Sequence, residues 1–104
     1  VLHYNVSELE PQLSCPQGVD NVHPISEVEG TKVNQVYIGS CTNGSIEDME
    51  VAAKILEGKK ADPYVKLVVI PATVKVYKEA LKRGYIKTFI DAGGMVSHPC
   101  CGLC

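Results

Sequence analysis

Val36-Tyr37-Ile38-Gly39-Ser40-Cys41-Thr42-Asn43 is an apolar run that ends in a turn of small residues carrying one cysteine. Taken from Val33 to Ile38, the run holds β-branched and aromatic residues and reads as a buried strand. Just past the turn, Ser45 and Asp48 have the spacing of a capping box, with aspartate where glutamate is commoner. Ile46, Met49, Ala53 and Leu56 continue as a helical stripe of core positions, and Gly58 ends it. A strand followed at once by a helix is the start of an α/β unit.

Further along, the same alternation repeats. Val65 to Ile70 is a second strand closed by Pro71. Thr73 caps a helix whose expected inner face is Val74, Tyr77 and Leu81, and Gly84 ends it. Ile86 to Ala92 reads as another short helix with Ile86, Phe89 and Ile90 on its apolar face. Gly93-Gly94 turns the chain into Met95-Val96, a minimal third strand that leads to His98-Pro99-Cys100-Cys101. The order βαβαβ implies a parallel sheet with right-handed crossovers, and nearly continuous apolar strands imply cover on both faces. The expected fold is therefore α/β, three-layered, with a short parallel sheet over residues 31–104 and an irregular N-terminal arm over residues 1–30.

That arm lacks periodicity, and Pro11, Pro16, Gly18 and Pro24 interrupt it. It is expected to lie extended over the domain surface. Val1 to Asn5 reads as a short strand, and Ser7 with Glu10 as the cap of a helical turn. Asp20, Asn21, His23 and Ser26 fit a solvated loop with local hydrogen bonds better than a site.

The composition narrows the function. A chain of 104 residues bounds a single modest core, and 45% apolar with 21% charged residues is ordinary for a globular domain. A formal charge of −2 gives no footprint for nucleic acid. No apolar run approaches the roughly 20 residues that cross a bilayer, and Val1-Leu2-His3-Tyr4 does not open a signal peptide. A start without methionine and an end at Cys104, inside a motif, read as a fragment of a longer chain. Five cysteines (Cys15, Cys41, Cys100, Cys101 and Cys104) would leave one thiol over in a disulfide framework, and adjacent Cys100 and Cys101 are awkward to bridge. Reduced thiols in a cytoplasmic setting are the expectation.

Parallel strands share one carboxyl edge, where such folds place their sites. Cys41 follows the first strand and Cys101-x-x-Cys104 follows the third, so the three sulfurs become neighbours by topology. Soft thiolates suit zinc, Cu(I) or an iron–sulfur cluster. The helix starting near Ser45 would aim its positive end at them, and Gly39 and Gly102 would clear bulk where backbone approaches a cofactor. Zinc held by Cys41, Cys101, Cys104 and either His98 or Cys100 is one alternative, though Cys41 lacks the close partner of a zinc knuckle. A redox dithiol at Cys101 and Cys104 is another, though nothing helical follows it. Cys100 or Cys15 as a fourth cluster ligand would give an electron-transfer site. Thr42 and Asn43 are candidates for the rim of the site, with left-handed turn chemistry as the plainer role for Asn43. His98 reads as an outer hydrogen-bond donor or an ordinary loop histidine.

Ile38-Gly39-Ser40-Cys41-Thr42-Asn43, followed about sixty residues on by Cys101-x-x-Cys104, resembles the aconitase superfamily. Within it the likeness is greatest to large subunits of the 3-isopropylmalate dehydratase and homoaconitase type. Glu10-Pro11, Glu47-Asp48-Met49 and Ile70-Pro71 extend it. The resemblance implies a [4Fe–4S] cluster on Cys41, Cys101 and Cys104, with one iron left open as a Lewis acid. It implies a hydro-lyase that moves a hydroxyl between adjacent carbons of a di- or tricarboxylate. It also implies that the substrate arginines and the base come from other domains of the large subunit or from a small subunit. This chain has a single arginine, Arg83, which suits a helix end instead. Cys100 departs from the small residue expected there.

Overall fold

The computed structural model describes residues 1–101, so Gly102 and Cys104, and with them one expected ligand, lie outside the described residues. The chain divides into two compact units, Val1–Lys32 and Val33–Cys104.

In the first unit, β1 (Gln12–Ser14) and β2 (Val22–Pro24) form an antiparallel pair, followed by the single turn α1 (Ile25–Val28). Val1 to Asn5 forms no strand. Asn5 instead caps a 3₁₀ turn over Val6–Glu8 by accepting the Ser7 N–H, a local bond that outcompetes extension in a stretch with no neighbouring strand. The expected local hydrogen bonds are present. His23 Nδ1 meets Glu27 Oε2 at 3.0 Å and its Nε2 meets Asn21 Oδ1 at 2.9 Å, while Ser26 Oγ donates to Glu10 Oε1 at 2.7 Å.

The second unit is the expected α/β domain. Strands β3 (Gln35–Gly39), β4 (Lys66–Ile70) and β5 (Met95–Val96) pair in parallel in that order. The connections carry α2 (Ser40–Asn43), α3 (Ile46–Leu56), α4 (Val74–Lys82) and α5 (Tyr85–Asp91). Leu67 and Val69 of β4 pack with Met49, Ala52 and Ala53 of α3, Ala80 of α4, and Ile86 and Phe89 of α5. Val68 and Ile70, which alternate to the opposite face, are buried too, so both faces of the central strand are withdrawn from water.

The inner face of α4 differs from the expected one. Leu81 is 51% and Val74 44% exposed, whereas Ala80 is fully buried with Val76 and Tyr77 beside it. The stripe is turned by roughly a quarter of the helix circumference, following 100° per residue. A residue as small as alanine at the contact lets α4 approach α3 and α5 closely, so side-chain size decided the face over side-chain hydropathy. Ile90 is likewise exposed, while Ile86 and Phe89 are buried as expected.

Candidate metal centre

The turn that carries Cys41 is shaped by contact with β4. A Cβ on Gly39 would lie 2.0 Å from the Ile70 carbonyl oxygen, and Gly39 has φ +116°, a region closed to other residues. A Cβ on Gly44 would lie 2.3 Å from the Ser40 carbonyl oxygen and 2.7 Å from the Ala72 nitrogen. The Ala72 N–H donates to the Gly44 carbonyl at 2.9 Å. The two glycines thus press the turn onto the end of β4 from both sides. The close approach of β4 is by itself enough to require glycine at position 39.

Between them the chain makes the single helical turn α2, which the sequence did not announce. Ser40 is buried and enters it with φ +66°, a left-handed conformation that costs a non-glycine residue about 1 kcal/mol or more. Cys41 is exposed. Its sulfur lies 3.9 Å from Ser40 Oγ and 3.8 Å from Thr42 Oγ1, at the reach of weak hydrogen bonds to sulfur. On a strained, glycine-pinned turn local strain fixes a side chain's direction, here that of the Cys41 thiol.

The start of α3 is closed by its own residues. Ser45 Oγ accepts the Asp48 N–H at 3.2 Å, and Asp48 Oδ2 accepts the Ser45 N–H at 3.0 Å, so the expected capping box is formed. The Ser45 hydroxyl and backbone hydrogen bonds hold the Asp48 carboxyl below its ordinary pKa, against a small opposing desolvation, and the Asn43 side chain adds a hydrogen bond in the same sense. The backbone of Asn43 is not left-handed, so the left-handed turn role does not apply.

At the same edge of the sheet, on the outer strand opposite β3, Ser97 N–H continues the β4–β5 ladder by donating to the Val69 carbonyl at 3.0 Å. The chain then runs through His98 to Cys100 and Cys101, both exposed. The His98 ring stands against Tyr77, with centroids 6.5 Å apart and planes tilted by 45°. Register fixes what the topology brings together. Gly39 is opposite Ile70, and Val69 is opposite Val96, so β3 and β5 leave the sheet at one edge with β4 between them. At about 4.8 Å per strand the two exits are about 10 Å apart. Cys41 lies two residues past one exit and Cys101 five past the other.

Soft, exposed thiols on a single sheet edge are a donor set that fits an iron–sulfur cluster. Among the described residues no three His, Cys, Asp or Glu side chains are grouped as a metal site, and the expected third cysteine, Cys104, is not one of them. Arg83 is taken up elsewhere, its Nε donating to Glu79 Oε1 at 2.7 Å at the end of α4. Among the described residues no helix is long and apolar enough to cross a membrane.

The Aconitase family (aconitate hydratase) matches residues 24–104. A probable 3-isopropylmalate dehydratase large subunit of Methanothermobacter thermautotrophicus is 52% identical over 104 residues, which is 100% of this chain and 25% of that protein. A 3-isopropylmalate dehydratase large subunit of Archaeoglobus fulgidus is 56% identical over 103 residues, 99% of this chain and 25% of that protein. A probable methanogen homoaconitase large subunit of M. thermautotrophicus is 46% identical over 102 residues, 98% of this chain and 24% of that protein. The chain spans about a quarter of the length of the curated relatives it matches. With its parallel sheet, its cysteine-bearing turn and a match covering most of its length, the chain belongs to the aconitase family.

Proposed function

We propose that this chain is the cluster-carrying part of a hydro-lyase large subunit, in which Cys41, Cys101 and Cys104 ligate a [4Fe–4S] cluster. The observation that supports this most is the shared carboxyl edge, which receives Cys41 from β3 and the Cys100-Cys101 segment from β5. When bound, a cluster with three thiolate ligands offers one open iron as a Lewis acid to a hydroxyl or carboxylate oxygen. The substrate class we assign is a hydroxy-acid of the 3-isopropylmalate, homoaconitate or citrate type, dehydrated and rehydrated at adjacent carbons. The large-subunit relatives named above support that class.

This chain's own residues have limited tasks in the scheme. Gly39 and Gly44 fix the turn and Ser40 and Thr42 hold the Cys41 sulfur by weak hydrogen bonds, while Thr42 and Asn43 are the residues we assign to the rim. Arg83 is paired with Glu79 and is not available to a substrate carboxylate. The carboxylate forks and the base therefore come from the remaining domains of the same large subunit and from a small subunit, and the 104 residues alone turn over nothing. Residues 1–30 form an arm and residues 31–104 the cluster-carrying domain. A reducing cytoplasm keeps the thiols competent as ligands.

Anaerobic reconstitution of the intact large subunit with iron and sulfide, followed by Mössbauer spectroscopy, tests the proposal. The expected spectrum contains four irons, one of which changes when a hydroxy-acid is added. Absence of a cluster while all thiols titrate as reduced would rule it out, and tightly held zinc without iron would establish a structural site instead.

A further inference from the structure

We propose that in the working enzyme β3 has a second neighbour. An apolar strand from elsewhere in the same large subunit pairs in parallel with its free side and fills the groove between β3 and α3. This rests on the reading above, that the chain is part of such a subunit.

Two observations require an occupant, and one strand answers both. The first is the free side of β3, which pairs with β4 alone among the described residues. The Lys66 N–H donates to the Asn34 carbonyl at 2.9 Å, and Gln35 is opposite Lys66, which sets the phase of the ladder. In that phase the N–H groups of Val36 and Ile38 face β4, while those of Tyr37 and Gly39 point away from it. The second observation is an apolar groove of about 580 Å³ on the same side, lined by Val36, Ile38, Val51, Ile55, Val65 and Leu67 among others. Val51 and Ile55 are each 58% exposed on α3, beside the buried Ala52. The apolar surface of α3 is thus wider than the three strands beneath it cover.

A strand laid beside β3 accepts from and donates to its outward peptide groups, which is the β-augmentation mode of recognition. Its residues opposite Val36 and Ile38 send their side chains to the helix layer, against Val51 and Ile55. The source is the parent polypeptide because the relatives are about four times as long as this chain. Sheets also usually hold four to six strands, and this one has three among the described residues. A second copy related by a two-fold axis would instead bring β3 against β3 in antiparallel fashion. A parallel neighbour also has a consequence for the site. It makes the Cys41 turn the point where the strand order changes direction, which is where open α/β sheets form their crevice.

Hydrogen–deuterium exchange of the intact large subunit, resolved at Tyr37 and Gly39, tests this with the β4 amides as the internal standard for folding. The expected result is exchange at least about 100-fold slower than in an unstructured chain at both amides, at unchanged molecular mass. Introducing Val51→Asp together with Ile55→Asp should speed exchange at Tyr37 and Gly39 at least about tenfold while β4 stays protected. Free exchange at Tyr37 and Gly39 under a protected β4 overturns the inference. So does protection that appears only with a doubled mass, since that assigns the groove to a second copy. Protection unmoved by the paired substitution with β4 intact also overturns it. Should that variant unfold, the wild-type exchange decides alone. Iron content measured on the same sample separates the two proposals: four irons with free exchange sinks only the strand, and protection without iron sinks only the cluster.

Discussion

Gly39 owes its identity to a carbonyl oxygen of the neighbouring strand, and its replacement is correspondingly costly. Gly39→Ala puts a methyl group 2.0 Å from the Ile70 carbonyl oxygen at φ +116°, so strain and overlap act together. The expected loss in unfolding free energy is at least about 2 kcal/mol, read as a lowered urea midpoint. The opposite sign is expected at Tyr37, whose hydroxyl oxygen is buried with no hydrogen-bond partner among the described residues. An unpaired buried hydroxyl costs about 1–3 kcal/mol, so Tyr37→Phe should leave this chain as stable as before or raise its melting temperature. A clear loss of stability would mean that the hydroxyl has a partner. The sequence made the glycine visible, but the atom it avoids belongs to β4, thirty-one residues on, and only the register reveals it.

At the scale of elements, the start of α3 was legible because a capping box is written in four consecutive residues and closes on itself. Ser45→Ala should cost about 1 kcal/mol, the usual worth of such a cap. The same substitution should change the acid limb of stability, with a sign that follows from Asp48. Its folded pKa lies below the ordinary aspartate value, chiefly through the Ser45 hydroxyl. The contribution is therefore complete above the unfolded value and is lost as pH falls through the folded one. Urea midpoints taken from about pH 6 to about pH 2 should fall less steeply at the acid end in Ser45→Ala than in the parent. Glu50 and Glu79, held low by Lys54 and Arg83, titrate in both proteins and cancel in the comparison. The face of α4 was not legible, because hydropathy points to Leu81 while close packing selects Ala80. Ala80→Leu should destabilise by about 1–3 kcal/mol through overpacking, although it adds apolar surface. A neutral result would return the helix to the face that Val74 and Leu81 define.

For the whole molecule, parallel pairing and the shared edge were legible since each follows from alternation and chirality, which act on every residue of the pattern, whereas the order β3-β4-β5 comes from the structure. The details of the site were less so. The turn α2 and the left-handed Ser40 both arise from backbone pressed against backbone, and no periodicity encodes that. The number of cysteines that hold the cofactor lies between these cases, and it decides the chemistry. Cys100 is exposed beside Cys101, so a four-thiolate site that leaves no iron open is the rival to a three-thiolate one. In the intact large subunit the two separate cleanly. With three ligands, Cys100→Ser keeps about four irons per subunit and the hydroxy-acid-dependent change at one of them, whereas Cys41→Ser falls to about one iron or fewer. With four ligands, Cys100→Ser also loses iron, or creates a substrate-responsive iron that the parent lacks. Cys41→Ser should leave the melting temperature of the cluster-free protein nearly unchanged, because its sulfur is exposed and its contacts among the described residues are weak, at 3.8 Å and 3.9 Å. Iron lost together with that stability would mark Cys41 as a folding residue, and the ligand assignment would then pass to the remaining thiols.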